Sequence, residues 1–458
     1  MASETDLALI MLQAPAIGAD VEDYLLRIVS PSPVSAADRR ARHALVEIDD
    51  DSDRHLSEKV LDDSRLVRRL QRTVALARRF GHTVEGLACF ASSLRMAHLA
   101  QALEIDLLET HPRTLGWGHK SGSRQLFRAA GVRHLPGSYV ADHGVASLAV
   151  RLAALVRLHG PGHWVVKLDH GFGSGHGNAF VAVDSDRPST IEQELFASLR
   201  PMGLGVRRVQ FLRWLGTVGA VVERRVEAGP GSTVLQPSAL GHLRPEADGS
   251  VRVELLGVHD QLVGTAGDYL GCRYPARAEY RDEVERQALR VFAALAVRGV
   301  RGHVGIDFMA VCALSRSVGT SLFATEINMR QTGSTHPNRT VRAVLPLDAA
   351  VPERLVARNG HDVCFRATDN VLSPSSRGTS AGALISAVQQ SPRLRLDRDA
   401  GRGVVPHLWP ALARYGKMGV TAIGRSEAEC ERLVREFSEL LDTLGKSRPP
   451  AQRRSGPV

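Results

Sequence analysis

The stretch Trp164-Val-Val-Lys167-Leu-Asp-His-Gly171-Phe-Gly173-Ser174-Gly175-His-Gly177-Asn-Ala179-Phe-Val-Ala-Val183 sets glycine at every second position between two apolar runs. A P-loop would close on Gly-Lys-Ser/Thr, which is missing here. A dinucleotide loop would open a helix at its third glycine, whereas Ala179 onward reads as a strand. The pattern is therefore strand, glycine loop, strand. Such a hairpin can lay its backbone N–H groups over phosphates because no Cβ blocks the approach. An ordinary flexible turn would carry the same letters. Lys167 sharpens the reading, since an unpaired ammonium is costly to bury in an apolar strand. It calls for an anion, either a nucleotide phosphate or a carboxylate elsewhere in the chain.

Downstream, Leu322-Phe-Ala-Thr-Glu326-Ile-Asn328-Met-Arg330 places Glu326, Asn328 and Arg330 on one face by the two-residue period of a strand, with Phe323, Thr325 and Ile327 opposite. The preceding run, Val304-Gly-Ile-Asp307-Phe-Met, carries one acid among apolar residues. A hairpin through 313–320 brings Asp307 beside Glu326. Two carboxylates and an amide oxygen form a hard-oxygen set suited to Mg2+ that also holds substrate phosphates; a solvated polar face is the plainer alternative. Gln331-Thr332-Gly333-Ser334-Thr335-His336 then offers a backbone-rich anion pocket. Arg330 adds a planar fork for a carboxylate or acyl phosphate. His336 reads either as a group that positions or deprotonates a nucleophile or as a structural histidine.

Outward from these motifs, strands are expected at 8–13, 43–48 and 85–91, with helices over 57–80 and 92–103. This alternation implies a parallel sheet flanked by helices. A helix over 121–130 is closed by Gly131. Strands follow at 163–169, 179–184, 207–213 and 218–226. A helix over 279–298 precedes the strands at 303–311 and 321–328. The fold class is α/β with mixed α+β character. Residues 446–458, rich in Arg, Pro and Ser, read as a disordered tail.

The 458 residues, 43% hydrophobic and 23% charged, are enough for two or three globular domains. No apolar run is long enough to span a bilayer, and Leu7 to Ile17 follows Glu4 and Asp6 rather than a basic start, so it is not a secretory signal. Five scattered cysteines without a CxxC pair argue against a disulfide framework and for the cytoplasm. The net charge of +9 is spread along the chain. Its densest run, Arg65 to Arg79, alternates with apolar residues at helical spacing, which needs no nucleic-acid partner.

Together these residues resemble the ATP-grasp carboxylate–amine ligases over roughly 115–345. The ordered matches are His119-Lys120 before a helix ending Ala130-Gly131-Val132, then Val166-Lys167, the glycine loop, Val221 to Val226, Gly305-Ile-Asp307-Phe and Glu326 to Arg330. Within that family the chain is most similar to peptide ligases of the pheganomycin type. The resemblance implies an N-terminal domain over 1–115, an ATP-grasp domain over 116–345 with its lid at about 135–228, and an associated C-terminal region over 346–445. It implies ATP as cofactor, with Mg2+ or Mn2+ held by Asp307, Glu326 and Asn328. Lys120 and Lys167 contact phosphates, as do Gly173, Ser174, Gly175 and Gly177 of the loop. Glu223, Arg224 and Val226 belong to the linker that meets adenine, mostly through backbone. Arg330 and Lys167 take catalytic roles, and Arg330, Thr332, Gly333 and His336 bind substrate. Implied partners are a carboxylate, an unusual guanidino-bearing amino acid, and the amine of a peptide, in peptide natural-product biosynthesis; a homodimer is compatible. The chain departs from the family in having Asp307 where glutamate is frequent and Met329 where proline is common. A thiol or small-amine acceptor, a kinase and a non-catalytic nucleotide-binding regulator are the rival readings.

Overall fold

The computed structural model describes residues 9–29, 43–171, 175–203, 205–264, 268–313, 320–348 and 354–446. The tail beyond Lys446 lies outside them, as do Gly173, Ser174 and most of the 313–320 connection. β1 (Leu9–Gln13) and β2 (His43–Glu47) flank α1 (Ala19–Val29) and pair in parallel, Leu9 opposite His43. The helix expected over 57–80 is two helices, α2 (Leu56–Asp62) and α3 (Ser64–Arg79). Asp63 divides them because its carboxylate accepts from the N–H groups of Arg65 and Leu66, starting a new helix. The strand expected at 85–91 is reduced to one parallel bridge, Leu87 to Leu107. α4 (Leu94–Ala102) follows, capped by Ser93.

α5 (Lys120–Ala129) and α6 (Val145–His159) lead into the glycine hairpin, β3 (Gly162–Leu168) and β4 (Asn178–Val183). After α7 (Pro188–Ser198) and β5 (Arg200–Pro201), residues 207–213 form not the expected strand but the start of α8 (Arg208–Val218). The apolar run is helical in period: Phe211 and Leu215, four apart, are fully buried, while Val209 stays in solvent. β6 (Ala220–Arg224) completes an antiparallel sheet in the order β5-β4-β3-β6.

The remaining elements are β7 (Ser232–Leu235), β8 (Pro237–Pro245), β9 (Val251–Val263), β10 (Tyr269–Tyr274), α9 (Ala278–Val297), β11 (Gly302–Ala313), β12 (Ser321–Asn328), α10 (Thr335–Val344), β13 (Cys364–Leu372), α11 (Ala381–Gln390), β14 (Gly403–His407), α12 (Trp409–Tyr415), β15 (Lys417–Gly424) and α13 (Glu427–Lys446). Their strands form one antiparallel sheet in the order β12-β11-β8-β9-β10-β13-β15-β14, with β7 also on β11. α9 buries Val284, Ala288, Val291, Phe292 and Leu295 in one core with Ile306, Phe308 and Ile327. Each of these side chains other than Ala288 contributes about 1.5–3 kcal/mol by leaving water.

His259 in β9 is 0% exposed and packs 5.4 Å from the Tyr274 ring and 5.6 Å from that of Phe365. Burial, reinforced by Arg342, holds its imidazole down to about 3, against about 6.5 in an unfolded chain. Between those values the unfolded state binds the extra proton. This histidine therefore costs no stability above pH ~6.5, and its cost grows by up to about 1.4 kcal/mol per unit as pH falls below that. Thermal melts at stepped pH should show a smaller acid loss of Tm in His259→Leu than in the unaltered protein; parallel curves would remove His259 as the cause.

Candidate active site

The glycine hairpin forms as its sequence requires. Lys167 pairs with Asn178 across β3 and β4, and Gly171 and Gly175 turn the chain at φ +85° and +78°, values that side chains resist. Asn178 N–H donates to Gly175 O at 3.0 Å and Leu168 N–H to Gly177 O at 2.8 Å. The foot of the loop is fastened to the first turn of α5. Lys120 N–H donates to Asp169 O at 2.9 Å, and Ser121 N–H to Asp169 Oδ1 at 2.8 Å. His119 and His170 stack there at 4.6 Å, with His119 Nδ1 3.4 Å from Asp169 Oδ2.

The anion that Lys167 requires is Glu223. Lys167 Nζ bonds Glu223 Oε1, while Arg124 Nη1 donates to Glu223 Oε2 at 3.0 Å. Arg124 also donates to Ser138 O at 2.6 Å and Leu135 O at 2.7 Å. Side-chain exposures are 8% for Lys167 and 2% for both Arg124 and Glu223. The Glu223 side chain is thus committed to the interior, and Glu223 and Arg224 end β6 as backbone-paired residues. Val226 lies in the loop beyond.

The carboxylate hairpin also forms: β11 and β12 run antiparallel with Asp307 opposite Glu326 and Gly305 opposite Asn328. Strict alternation fails at one point. Phe308 pairs with Ala324, so Thr325 is an extra residue, and its Oγ1 donates to Asp307 O at 3.0 Å. This bulge shifts the core-facing set to Leu322, Ala324 and Ile327, leaving Phe323 half-buried under the Arg133 guanidinium. Ile327 N–H donates to Ser123 Oγ at 3.1 Å, stitching β12 to α5.

The site brings the predicted residues together. Lys120 Nζ lies 2.5 Å from Glu326 Oε1. Asn328 Nδ2 donates to Asp307 Oδ2 at 2.9 Å, and Gln261 Nε2 to Asp307 Oδ1 at 2.8 Å. Arg330 donates to Asn328 Oδ1 at 3.1 Å and to Gln331 O at 2.9 Å. Burial, then the charge of Glu326, pushes the Asp307 carboxyl up to about 6. Burial would raise Glu326 too, but Lys120, Lys167 and Arg330 outweigh it and hold that carboxyl below its usual range. Lys120 is the cation in contact with this glutamate, and Lys167 and Arg330 act on it through their charge. A second carboxylate lies opposite, and its charge a bound cation would relieve. The donor set of Asp307, Glu326 and Asn328 fits a hard divalent ion.

Thr332 and Gly333 sit between this cluster and α10. Thr332 N–H donates to Thr335 Oγ1 at 2.8 Å. A Cβ on Gly333 would come within 2.6 Å of Tyr269 Oη. His336, in the first turn of α10, lies beside His407, ring centroids 4.5 Å apart. Sequence reasoning missed several neighbours. Glu109 accepts from His303 N–H at 2.9 Å and from Gln331 Nε2 at 3.1 Å. Gln331 N–H donates to Phe90 O at 3.0 Å, so the N-terminal segment is clamped beside Arg330, whose guanidinium lies 5.7 Å from the Phe90 ring. Among the described residues no helix is long and apolar enough to cross a membrane.

No family model matches the chain. It is 30% identical over 440 residues to the L-propargylglycine–L-glutamate ligase of Streptantibioticus cattleyicolor, covering 94% of this chain and 85% of that protein. The fold is similar to a biotin carboxylase from Campylobacter jejuni solved with a β-γ-ATP complex (TM-score 0.54, 12% identity, 97% of this chain and 96% of that one). It is also similar to an N5-carboxyaminoimidazole synthase from Aspergillus clavatus solved with ADP and its ribonucleotide (TM-score 0.52, 13% identity, 96% and 99%).

Proposed function

The chain belongs to the ATP-grasp carboxylate–amine ligases, and on that premise we propose that it converts a carboxylate to an acyl phosphate and passes the acyl group to an amine. The ion pair of Lys120 with Glu326, with Asp307 registered opposite and Arg330 bonded to Asn328, carries this reading. Lys120 and Lys167 bind the phosphates of ATP, and the 171–177 loop covers them and excludes water from a product that water would hydrolyse. The Glu223 to Val226 segment meets adenine. Asp307, Glu326 and Asn328 would hold Mg2+, which would offset phosphate charge when bound. In the chain itself Lys120 is the cation that Glu326 faces.

Chemically, a carboxylate oxygen of the donor attacks the γ-phosphorus and ADP leaves. The amine nitrogen, neutral once its ammonium proton has been lost, then attacks the acyl carbon, the carbon–oxygen bond to phosphate breaks, and the departing phosphate takes up the remaining N–H proton. Arg330 steadies the donor carboxylate and then the acyl phosphate, with the backbone of Thr332 and Gly333 beside it.

The relative's name pairs two amino acids, which supports amino-acid substrates here. The donor we propose is a guanidino-bearing amino acid and the acceptor the amine of a peptide or amino acid, in a cytoplasmic pathway to a peptide natural product. The test is ADP release across pairs of carboxylates and amines, with product mass. The expected product is donor plus acceptor less one water. A stable phosphorylated donor would replace this reading with a kinase, and a thioester with a thiol ligase. ATP binding without turnover on any pair would leave a regulator.

A further inference from the structure

Two more β-bulges lie on the side of the site away from the lysines. β10 inserts Leu270 between Tyr269 and Gly271 against β9, and β13 sets Asp369 and Asn370 against the single residue Gly419 of β15. The two bulges are tied together: Thr368 Oγ1 donates to Leu270 O at 2.6 Å, and Asn370 Nδ2 to Tyr269 O at 3.5 Å. Tyr269 in turn packs on Gly333, in the loop that follows Arg330. Bulges next to active sites re-aim single side chains, and the residue re-aimed in β13 is an acid.

Asp369 has a built support. His407 Nε2 meets Asp369 Oδ1 at 2.8 Å. The ring reaches it by lying across Gly419, where a Cβ would come within 2.2 Å of the imidazole. His336 closes the group from α10. The side chain of Asp369 keeps 48% of its surface in solvent, and its hydrogen bond from His407 holds the carboxyl below its usual range. His336 is exposed, with the His407 ring beside it. Crowding, with His407 behind it, pushes its imidazole down to about 4, so it presents a lone pair at neutral pH.

On the near side of the Arg330–Gly333 segment stand the cations Lys120 and Arg330, which suit phosphates and a carboxylate. Beyond Tyr269, which packs on Gly333, the bulge presents an ionised acid and a neutral imidazole, which would repel a carboxylate and accept N–H bonds from a cation. We propose that Asp369, aimed by its bulge and backed by His407, forms with His336 the subsite that binds the ammonium group of the acceptor, making the acceptor an α-amino acid or a peptide N-terminus. This rests on the ligase reading above.

The two are tested separately with two nucleophiles. Hydroxylamine, uncharged at pH 8, traps the activated donor as a hydroxamate without needing an ammonium subsite; an amino-acid or peptide acceptor needs one. Asp369→Asn should raise the acceptor KM on the order of 10- to 100-fold, the range for losing a charge-assisted hydrogen bond. Hydroxamate formation and the donor KM should change by less than about threefold, and Asp369→Glu should restore part of the acceptor KM. His336→Gln should move the acceptor KM in the same direction. An unchanged acceptor KM, or an equal loss with both nucleophiles, removes the subsite and leaves the ligase intact. No hydroxamate from the unaltered protein with any donor removes the ligase reading and the subsite with it.

Discussion

Glu326→Gln is expected to lower donor-dependent ADP release on the order of 10²- to 10³-fold, the range seen when one charge-stabilising group leaves an active site. Glutamine keeps the length of the side chain and one acceptor oxygen, so the core packing of Ile327 and the β11–β12 register have no reason to change. What goes is the charge. Lys120, at 2.5 Å, loses its counter-ion and Asp307 loses the neighbour that raises its carboxyl. Asp307 and Asn328 alone would have to hold a cation that three ligands were proposed to share. Rates measured at saturating ATP and donor, alongside a melting curve within a few degrees of the unaltered protein, would isolate this loss. ADP release within tenfold of the unaltered rate would take Glu326 out of the metal site.

The residues that made this site legible are those whose neighbours are close in sequence. Asp307 and Glu326 lie on adjacent strands of one hairpin, and a two-residue period sufficed to pair them. The glycine hairpin was readable for the same reason. The sequence could not show Thr325 as an extra residue, because a bulge is fixed by the partner strand and by the hydrogen bond from Thr325 to Asp307 O. Residues 207–213 misled because a short apolar run fits either period, and only the burial of Phe211 with Leu215 decides it. Arg124 and Asp369 were invisible for another reason. Arg124 is one basic residue in a helix with others, and its partner is 99 positions away. Asp369 gains its meaning from a strand bulge and from His407, 38 positions on.

The distance in sequence between Arg124 and Glu223 also marks where the fold and the site depend on each other. Glu223 is the only acid bonded to both Arg124 and Lys167 among the described residues, and all three side chains are at least nine-tenths buried. Glu223→Ala should cost about 3–5 kcal/mol of unfolding free energy, because it leaves two buried cations uncompensated. A urea titration followed by far-UV circular dichroism would show this as a lower midpoint with unchanged slope. The number reports the stranded charges more than the worth of the pairs. Replacing all three members, as Arg124→Leu, Lys167→Met and Glu223→Leu, should therefore recover much of the loss, since no charge remains to be desolvated. That triple variant would nevertheless lack the lysine proposed to meet the ATP phosphates. It should fold with a midpoint well above that of Glu223→Ala and bind ATP more weakly than the unaltered protein. A triple variant less stable than the single one would mean that the hydrogen bonds from Arg124 to Ser138 O and Leu135 O, which hold α5 to the 135–138 segment, matter more than the charge balance.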